Sequence, residues 1–278
     1  MRNTISRRAL IGGGLGHAAG AFALGTPASA SPYTTIRVAT FNIHHGAGGD
    51  NVVDLERVAR FIEDLDVDLV GLQEVDNHWG ERSGWADQTA ILADRLGMRG
   101  VYGANLDLDP PAEGEPRRQY GTAILSRSPI LRWSNTLLPL FPGGEQRGLL
   151  QATVEVRGAR VTFADTHLQH TSNAERQAQA DAIVELLGDR RTLLVGDLNA
   201  TAEQPEIQTL TDVFADSWAA VGDGPGYTYD AANPHARIDF VLASPDVKPV
   251  EARVVTEAAS ASDHLPVVVE YRVRKGIH

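Results

Sequence analysis

The strongest constraint in this sequence is the way its short apolar runs end. From Ile36 to Val273, runs of strand length alternate with amphipathic segments. VATFN stops at Asn42, LVGLQE at Glu74, VTFADTH at His167, and LLVGDLN at Asp197 and Asn199; Asp263 and His264 open a last segment, SDHLPVVV. Each station alone has an ordinary reading. Asp and Asn end strands by bonding nearby backbone. A Glu beyond a strand faces water, and a lone His usually has a structural partner. Five stations in one chain, each at a strand boundary, point instead to a shared site at one end of a sheet.

The segments between them fill in an α/β pattern. TIRVATFNIHHG reads as a buried strand. NVVDLERVARFIEDL reads as a helix, with Leu55, Val58, Ala59, Ile62 and Leu65 on one stripe and Asn51 or Asp54 as its cap. VDLVGLQEV, then DQTAILADRLGM, repeat the strand–helix order, and YGTAILSRSPI is a strand stopped by Pro129. Two alternating runs around Arg157-Gly158 signal a hairpin. NAERQAQADAIVELLGD is a helix with Ala180, Ile183, Val184 and Leu187 inward; RTLLVGDLN, ARIDFVLAS, VEARVVT and DHLPVVVEYRV are further strands. Early β–α units followed by hairpins imply mixed sheets. Residues 105–119, rich in Pro, Gly and charge, are expected to form a long loop.

The first 30 residues stand apart. They have a basic head with Arg7-Arg8, a Gly/Ala-rich run without acids, and Ala28-Ser29-Ala30 as a small-x-small cleavage pattern. Ser6-Arg7-Arg8-Ala9-Leu10 resembles a twin-arginine export signal. A Sec-type signal or a short anchor is the competing reading. Cleavage after Ala30 is expected, leaving residues 31–278 as one catalytic domain in an exported, extracellular or cell-envelope protein. The formal charge is −11, and a leader with three arginines and no acid takes the remainder to −14. An acidic surface disfavours tight non-specific nucleic-acid binding. With no cysteine in 278 residues, disulfides, thiol chemistry and thiolate zinc sites are excluded.

Carboxylate and amide oxygens from Glu74 with Asn42 or Asn199 would make a sparse oxygen site. That suits a hard divalent cation, Mg²⁺ first, with Mn²⁺ or Ca²⁺ as alternatives. His264 beside Asp263 reads as an imidazole with its own carboxylate or another as orienter. His167 could donate to a phosphoryl oxygen.

Taken in order, ATFNIHHG, LVGLQEVD, YGTAILSR, FADTHLQH, LLVGDLNA, RIDFVLAS and SDHLPVVVE resemble the successive motifs of the endonuclease/exonuclease/phosphatase superfamily. The set spans residues 36–273. The resemblance implies a four-layer α/β sandwich, two packed mixed sheets flanked by helices. It implies a metal-dependent phosphoesterase that cleaves a phosphodiester by in-line attack of water. By the same resemblance Asn42 and Glu74 hold the metal, with Glu74 the main ligand. Asp197 and Asn199 position the water and the scissile phosphate; alternatively Asp197 protonates the leaving group. His167 contacts phosphate or acts as an acid, and His264, oriented with Asp263, polarises the nucleophile or binds phosphate.

Other positions keep two readings. Asp239 matches a family position that orients a histidine, or pairs with Arg237. Tyr120 faces the cleft or packs. Arg176 and Gln177 brace the site or serve only their helix. His44 and His45 read as ordinary loop residues, with His45 within reach of substrate. Trp79 and Trp85 form a substrate rim or pack. Leu137, Leu138, Leu140 and Phe141 in TLLPLFPGG are a membrane-contact candidate, with an inward-packing strand the favoured reading. The expected partner is a phosphate-ester substrate, nucleic acid or phospholipid headgroup, and the expected state is a monomer. A phosphomonoesterase acting on inositol phosphates and an inactive binding module of the same fold are the alternatives.

Overall fold

The computed structural model describes residues 31–276. The expected signal and its cleavage site lie outside the described residues. Two six-stranded mixed sheets form the centre. In the first, the order is β11 (Lys248–Val254), β12 (Val267–Arg274), β1 (Tyr33–Asn42), β2 (Leu69–Asn77), β4 (Arg118–Ser126) and β3 (Arg99–Leu108). In the second it is β5 (Ile130–Leu137), β6 (Gly148–Val156), β7 (Ala159–His167), β8 (Thr192–Asp197), β10 (Asp239–Ala243) and the two-residue β9 (Ala215–Asp216).

Alternation along the strands explains the layering. One face of each sheet meets the other in a core of Ile36, Val38, Leu69 and Ile124 against Leu150, Val154, Phe163, Val195 and Val241. Beyond the first sheet, Phe41, Val70, Leu72 and Ala123 pack under α1 (Leu55–Leu65) and α2 (Gln88–Leu96). Beyond the second, Ala164, Leu194 and Phe240 pack under α3 (Asn173–Leu186) and α4 (Pro205–Thr211). The result is the four-layer sandwich. Each fully buried Leu, Ile or Phe contributes roughly 1.5–3 kcal/mol, so the two sheets cannot separate cheaply.

Local chemistry sets the helix starts. Asp54 caps α1 by accepting from the Arg57 N–H at 2.9 Å, and Asp87 caps α2 from Ala90 N–H at 2.9 Å; each such cap is worth about 1 kcal/mol. Three expectations change. Residues 105–119 are not one loop: β3 runs to Leu108 and β4 starts at Arg118. The pairing of β3 with β4 draws both ends of that polar stretch into a ladder, from Arg99↔Ser126 to Leu108↔Arg118. The last strand starts at Val267 rather than at Asp263, because Pro266 has no N–H for the ladder. TLLPLFPGG is mixed: Leu138 is buried, whereas Leu137, Leu140 and Phe141 are exposed.

Candidate active site

Strand pairing brings the polar stations together. β1 and β2 are parallel, so Asn42 and Glu74 emerge side by side. β7 and β8 are parallel with His167 opposite Asp197, and β10 runs antiparallel to β8 with Asp239 opposite the same Asp197. Gly196, between these strands, has φ of 155°, and a Cβ there would collide with the Thr166 carbonyl. Glycine therefore lets β7 and β8 close. Ser262 ties the remaining segment to β1. Its hydroxyl donates to the Asn42 carbonyl at 2.7 Å and accepts from the His264 N–H at 3.2 Å. A cleft of about 340 Å³ results, lined among others by Glu74, Tyr120, His167, Asp197, Asn199, Asp263 and His264.

Asp197 is the hub. It is fully buried, and its Oδ2 accepts from Asn42 Nδ2 at 3.0 Å and lies 3.5 Å from His167 Nε2 and 3.7 Å from His264 Nε2. Its Oδ1 accepts from the Asn199 N–H at 2.9 Å. Burial, partly offset by His264 and reinforced by Asp239, pushes its carboxyl up to about 7. His264 moves the other way from an ordinary buried imidazole. Burial alone would lower it, but Asp239 and Asp197 outweigh that and push it up to about 10. It is therefore an imidazolium at neutral pH.

The orienting carboxylate of His264 is Asp239, not its neighbour Asp263. Asp239 Oδ2 sits 2.9 Å from His264 Nδ1. Asp263 is turned away, with its Oδ1 3.3 Å from Ser262 Oγ and 3.8 Å from His44 Nδ1. Successive side chains in an extended segment diverge, so adjacency in sequence keeps Asp263 off the His264 ring. Arg237 pairs with Asp216 at 2.8 Å, which leaves Asp239 free for His264.

Asn42 links the two halves of the cleft. Its Nδ2 donates to Glu74 Oε1 at 3.1 Å and to Asp197, while its amide oxygen accepts from the His44 N–H at 3.0 Å. The amide thus spaces two carboxylates. Glu74 is half-buried at a β-bulge between Leu72 and Val75, with φ of 60°. Bulges re-aim side chains at functional edges.

His167 is buried, and its Nδ1 lies 3.1 Å from Arg147 NH1. A guanidinium only donates, so Nδ1 accepts, while Nε2 faces both the Asn199 amide and, at 3.5 Å, Asp197. Burial, then Arg147, holds this imidazole well below its usual range. It is neutral. The Asn199 amide lies 3.0 Å from Nε2 and donates to the Leu168 carbonyl at 3.0 Å.

Sequence reasoning gave no site role to five of the described cleft residues: Glu145, Arg147, His170, Tyr229 and Ile238. Arg147 pairs with Glu145 at 3.0 Å and reaches toward His170 Nδ1 at 3.5 Å. A cation entering the apolar run GLLQATVEV was the available signal for Arg147, and the THLQH spacing for His170. Tyr229 packs its ring 4.9 Å from His264 and had no signal. Arg176 braces the site at one remove: it is buried, pairs with Glu206 at 2.6 Å and donates to the Gln169 carbonyl at 2.9 Å. Gln177 bonds Asp181 and Thr209 instead. Tyr120 lines the cleft, and Trp79 packs on it with ring centres 5.7 Å apart.

Two donor groups could hold a divalent cation among the described residues. Asp197, Asp239 and His264 form one; His44, His45 and Glu74 form the other. The first is already joined by the 2.9 Å bond between Asp239 and His264. In the second, the buried Nδ1 atoms of His44 and His45 have no hydrogen-bond partner. Orphaned donors beside a carboxylate fit a cation better than a closed hydrogen-bonded set.

A family model described as the endonuclease/exonuclease/phosphatase family matches residues 39–264. The chain belongs to this family. A solved structure, an endonuclease/exonuclease/phosphatase from Beutenbergia cavernae, superposes with a TM-score of 0.76 at 30% identity, covering 86% of this chain and 72% of that one. A family protein from Bacteroides thetaiotaomicron gives 0.71 at 19% identity, covering 87% and 98%, and a mannosyl-6-phosphatase from the same organism gives 0.69 at 19%, covering 85% and 99%. Among curated proteins no match is found. As an endonuclease/exonuclease/phosphatase family member the chain is a hydrolase of phosphoester bonds.

Proposed function

We propose that this protein is an exported phosphodiesterase that uses a divalent cation and water to cleave a nucleic-acid or phospholipid-headgroup diester. The observation that carries the diester over the monoester is the charge in the cleft. Among the described residues Arg147 is the only guanidinium lining it, and Glu145 already pairs with that guanidinium. Glu74, Asp197 and Asp263 add negative charge. A diester carries one charge and a monoester close to two at neutral pH. A site whose cationic side chains are one paired guanidinium and the His264 imidazolium suits the first better than the second. The acidic chain also suits a short contact on one phosphate better than a long neutralised track.

The roles follow from the protonation states. The cation, held at Glu74, supplies Lewis-acid polarisation of a phosphoryl oxygen when bound. Mg²⁺ is the reference ion for a carboxylate site. Asp197, with Asn199, orients the attacking water and accepts its proton, since a carboxyl near 7 can do so at neutral pH. The His264 imidazolium, fixed by Asp239, neutralises charge that grows on the phosphoryl oxygens. His167, neutral and buried beside Asp197 and Asn199, contacts phosphate or the leaving oxygen. Asn42 keeps Glu74 and Asp197 apart. The leader fits export by its twin-arginine pattern, and residues 31–278 act as one catalytic unit.

The test is a parallel assay of the full chain with Mg²⁺, Mn²⁺ and Ca²⁺ and chelator controls. Substrates are plasmid DNA, RNA, sphingomyelin, phosphoinositides, mannose 6-phosphate and a bis-aryl phosphate. Chelator-sensitive cleavage of a diester, with the monoesters at least tenfold slower, is expected. Faster turnover of mannose 6-phosphate or an inositol phosphate than of every diester overturns the reading.

A further inference from the structure

The sequence reads His44 and His45 as ordinary loop residues, with His45 at most touching substrate, yet the fold places strain on them. Both are left-handed, with φ of 46° and 47°, and Gly46 follows at 84°. Glu74 and Asn199 share that conformation. A non-glycine residue in this region costs roughly 1 kcal/mol or more and persists where surrounding structure enforces it.

The enforcement is visible. The Asn42 side chain accepts from the His44 N–H at 3.0 Å, and Gln88, fully buried at the start of α2, donates to the His45 carbonyl at 2.7 Å. Gln88 is itself held by accepting from the Asp76 N–H at 2.9 Å. The short turn His44–Gly46 is thus clamped from both sides. What the clamp presents is two imidazoles, ring centres 4.5 Å apart, against the Glu74 carboxylate. One donor atom from each of the three lies within 4.8 Å of the others. Metal–ligand bonds near 2.1 Å place opposite donors about 4.2 Å apart, so small rotations would close the set. Asp263 Oδ1, 3.8 Å from His44 Nδ1, adds a carboxylate on one flank. Arg82, whose charge faces His45, is paired with Asp76 at 2.6 Å.

We infer that His44 and His45 join Glu74 around one divalent cation, making a mixed imidazole–carboxylate site that selects a first-row transition ion such as Co²⁺, Zn²⁺ or Mn²⁺ over Mg²⁺ and Ca²⁺. Imidazole is a poor ligand for the hard ions and a good one for the borderline ions. The inference rests on the reading of Glu74 as the cation holder. It proposes a different ion from the all-oxygen, Mg²⁺-first expectation at the same position.

The test measures binding rather than turnover. The chelator-stripped full chain is titrated with Co²⁺, followed by visible absorption, and with Mn²⁺ and Mg²⁺ by calorimetry. Expected is one Co²⁺ with a ligand-field band and an affinity at least tenfold above that for Mg²⁺. His44→Asn and His45→Asn keep a residue that tolerates the left-handed backbone while removing imidazole. Each should weaken Co²⁺ at least tenfold, alter the band, and change Mg²⁺ affinity by less than threefold. Paramagnetically shifted imidazole N–H resonances in the Co²⁺ form, lost one by one in the variants, report ligation even if a variant folds poorly. Unchanged Co²⁺ affinity and spectrum in both variants overturns the inference alone. Glu74→Gln without effect on any ion overturns the reading beneath it as well.

Discussion

At the end of the cleft built by β7, β8 and β10, each ring nitrogen of His167 and His264 faces a polar partner. At the β1–β2 end, the Nδ1 atoms of His44 and His45 have no hydrogen-bond partner, and the Asp263 carboxylate stands 3.8 Å from the first. The first end is buried and its charges are paired; the second is half-buried and strained. A closed hydrogen-bonded set fixes where protons sit, and so prepares acid–base work. An open donor set, held by backbone clamps, prepares a place for an ion. Asn42 is the joint, bonding one carboxylate from each end.

The comparison breaks most sharply at Asp197. Asp197→Asn preserves shape but removes the proton acceptor, and kcat on the best diester should fall by about 10³-fold or more. Steady-state kinetics, with circular dichroism to show the fold, checks this; a rate within tenfold of the parent would remove Asp197 from the chemistry. Asp239→Asn comes next, with a loss of about 10²-fold in kcat. Without that carboxylate the His264 imidazolium deprotonates at lower pH, so the alkaline limb of the pH–rate profile, which in the parent lies toward pH 10, should shift to lower pH. An unmoved limb would show that another group orients the ring.

The same pair affects stability. In the parent, His264 holds its proton up to about 10 when folded, against 6.5 unfolded. Its contribution is complete below 6.5 and fades as pH rises toward 10. Thermal unfolding between pH 7 and 10 should therefore lose less stability in Asp239→Asn than in the parent.

The smallest effect is expected away from both ends, at Asp165. This acid is fully buried between the sheets, accepts from Gln73 Nε2 at 2.6 Å, and is pushed well above its usual range by burial. Folded, it keeps a proton that the unfolded chain releases above about 4, so it costs stability as pH rises. Asp165→Asn should flatten the pH dependence of Tm between pH 4 and 8 and raise Tm by a few degrees at pH 8, with kcat within threefold. A lower Tm at pH 8 would mean that Asp165 is charged and usefully paired.

Much of this molecule was legible along the chain. Leu193, Leu194 and Val195 announce a buried strand, and the polar pair that follows announces its end at the cleft. The stripe of α1 and its cap were readable for the same reason: contacts within one turn are set by sequence spacing. Asp239 was legible only as a choice between partners, since its answer depends on β10 pairing with β8 in one register. β3 was not legible, because Arg99–Leu108 mixes Gly, Asn and Asp with its apolar residues and becomes a strand only beside β4. His44 and His45 look like loop residues because their clamp comes from Gln88, more than forty positions away.

The sequence by itself determined the periodicities, the buried faces, and the set of polar residues that strands would carry to their ends. Tertiary structure decided which carboxylate meets which imidazole. Asn42 and Asp197 are 155 residues apart and bond at 3.0 Å, whereas His264 passes over its neighbour Asp263 for Asp239, 25 residues away. Strand register and side-chain alternation set those meetings, and both are properties of packed sheets rather than of any segment alone.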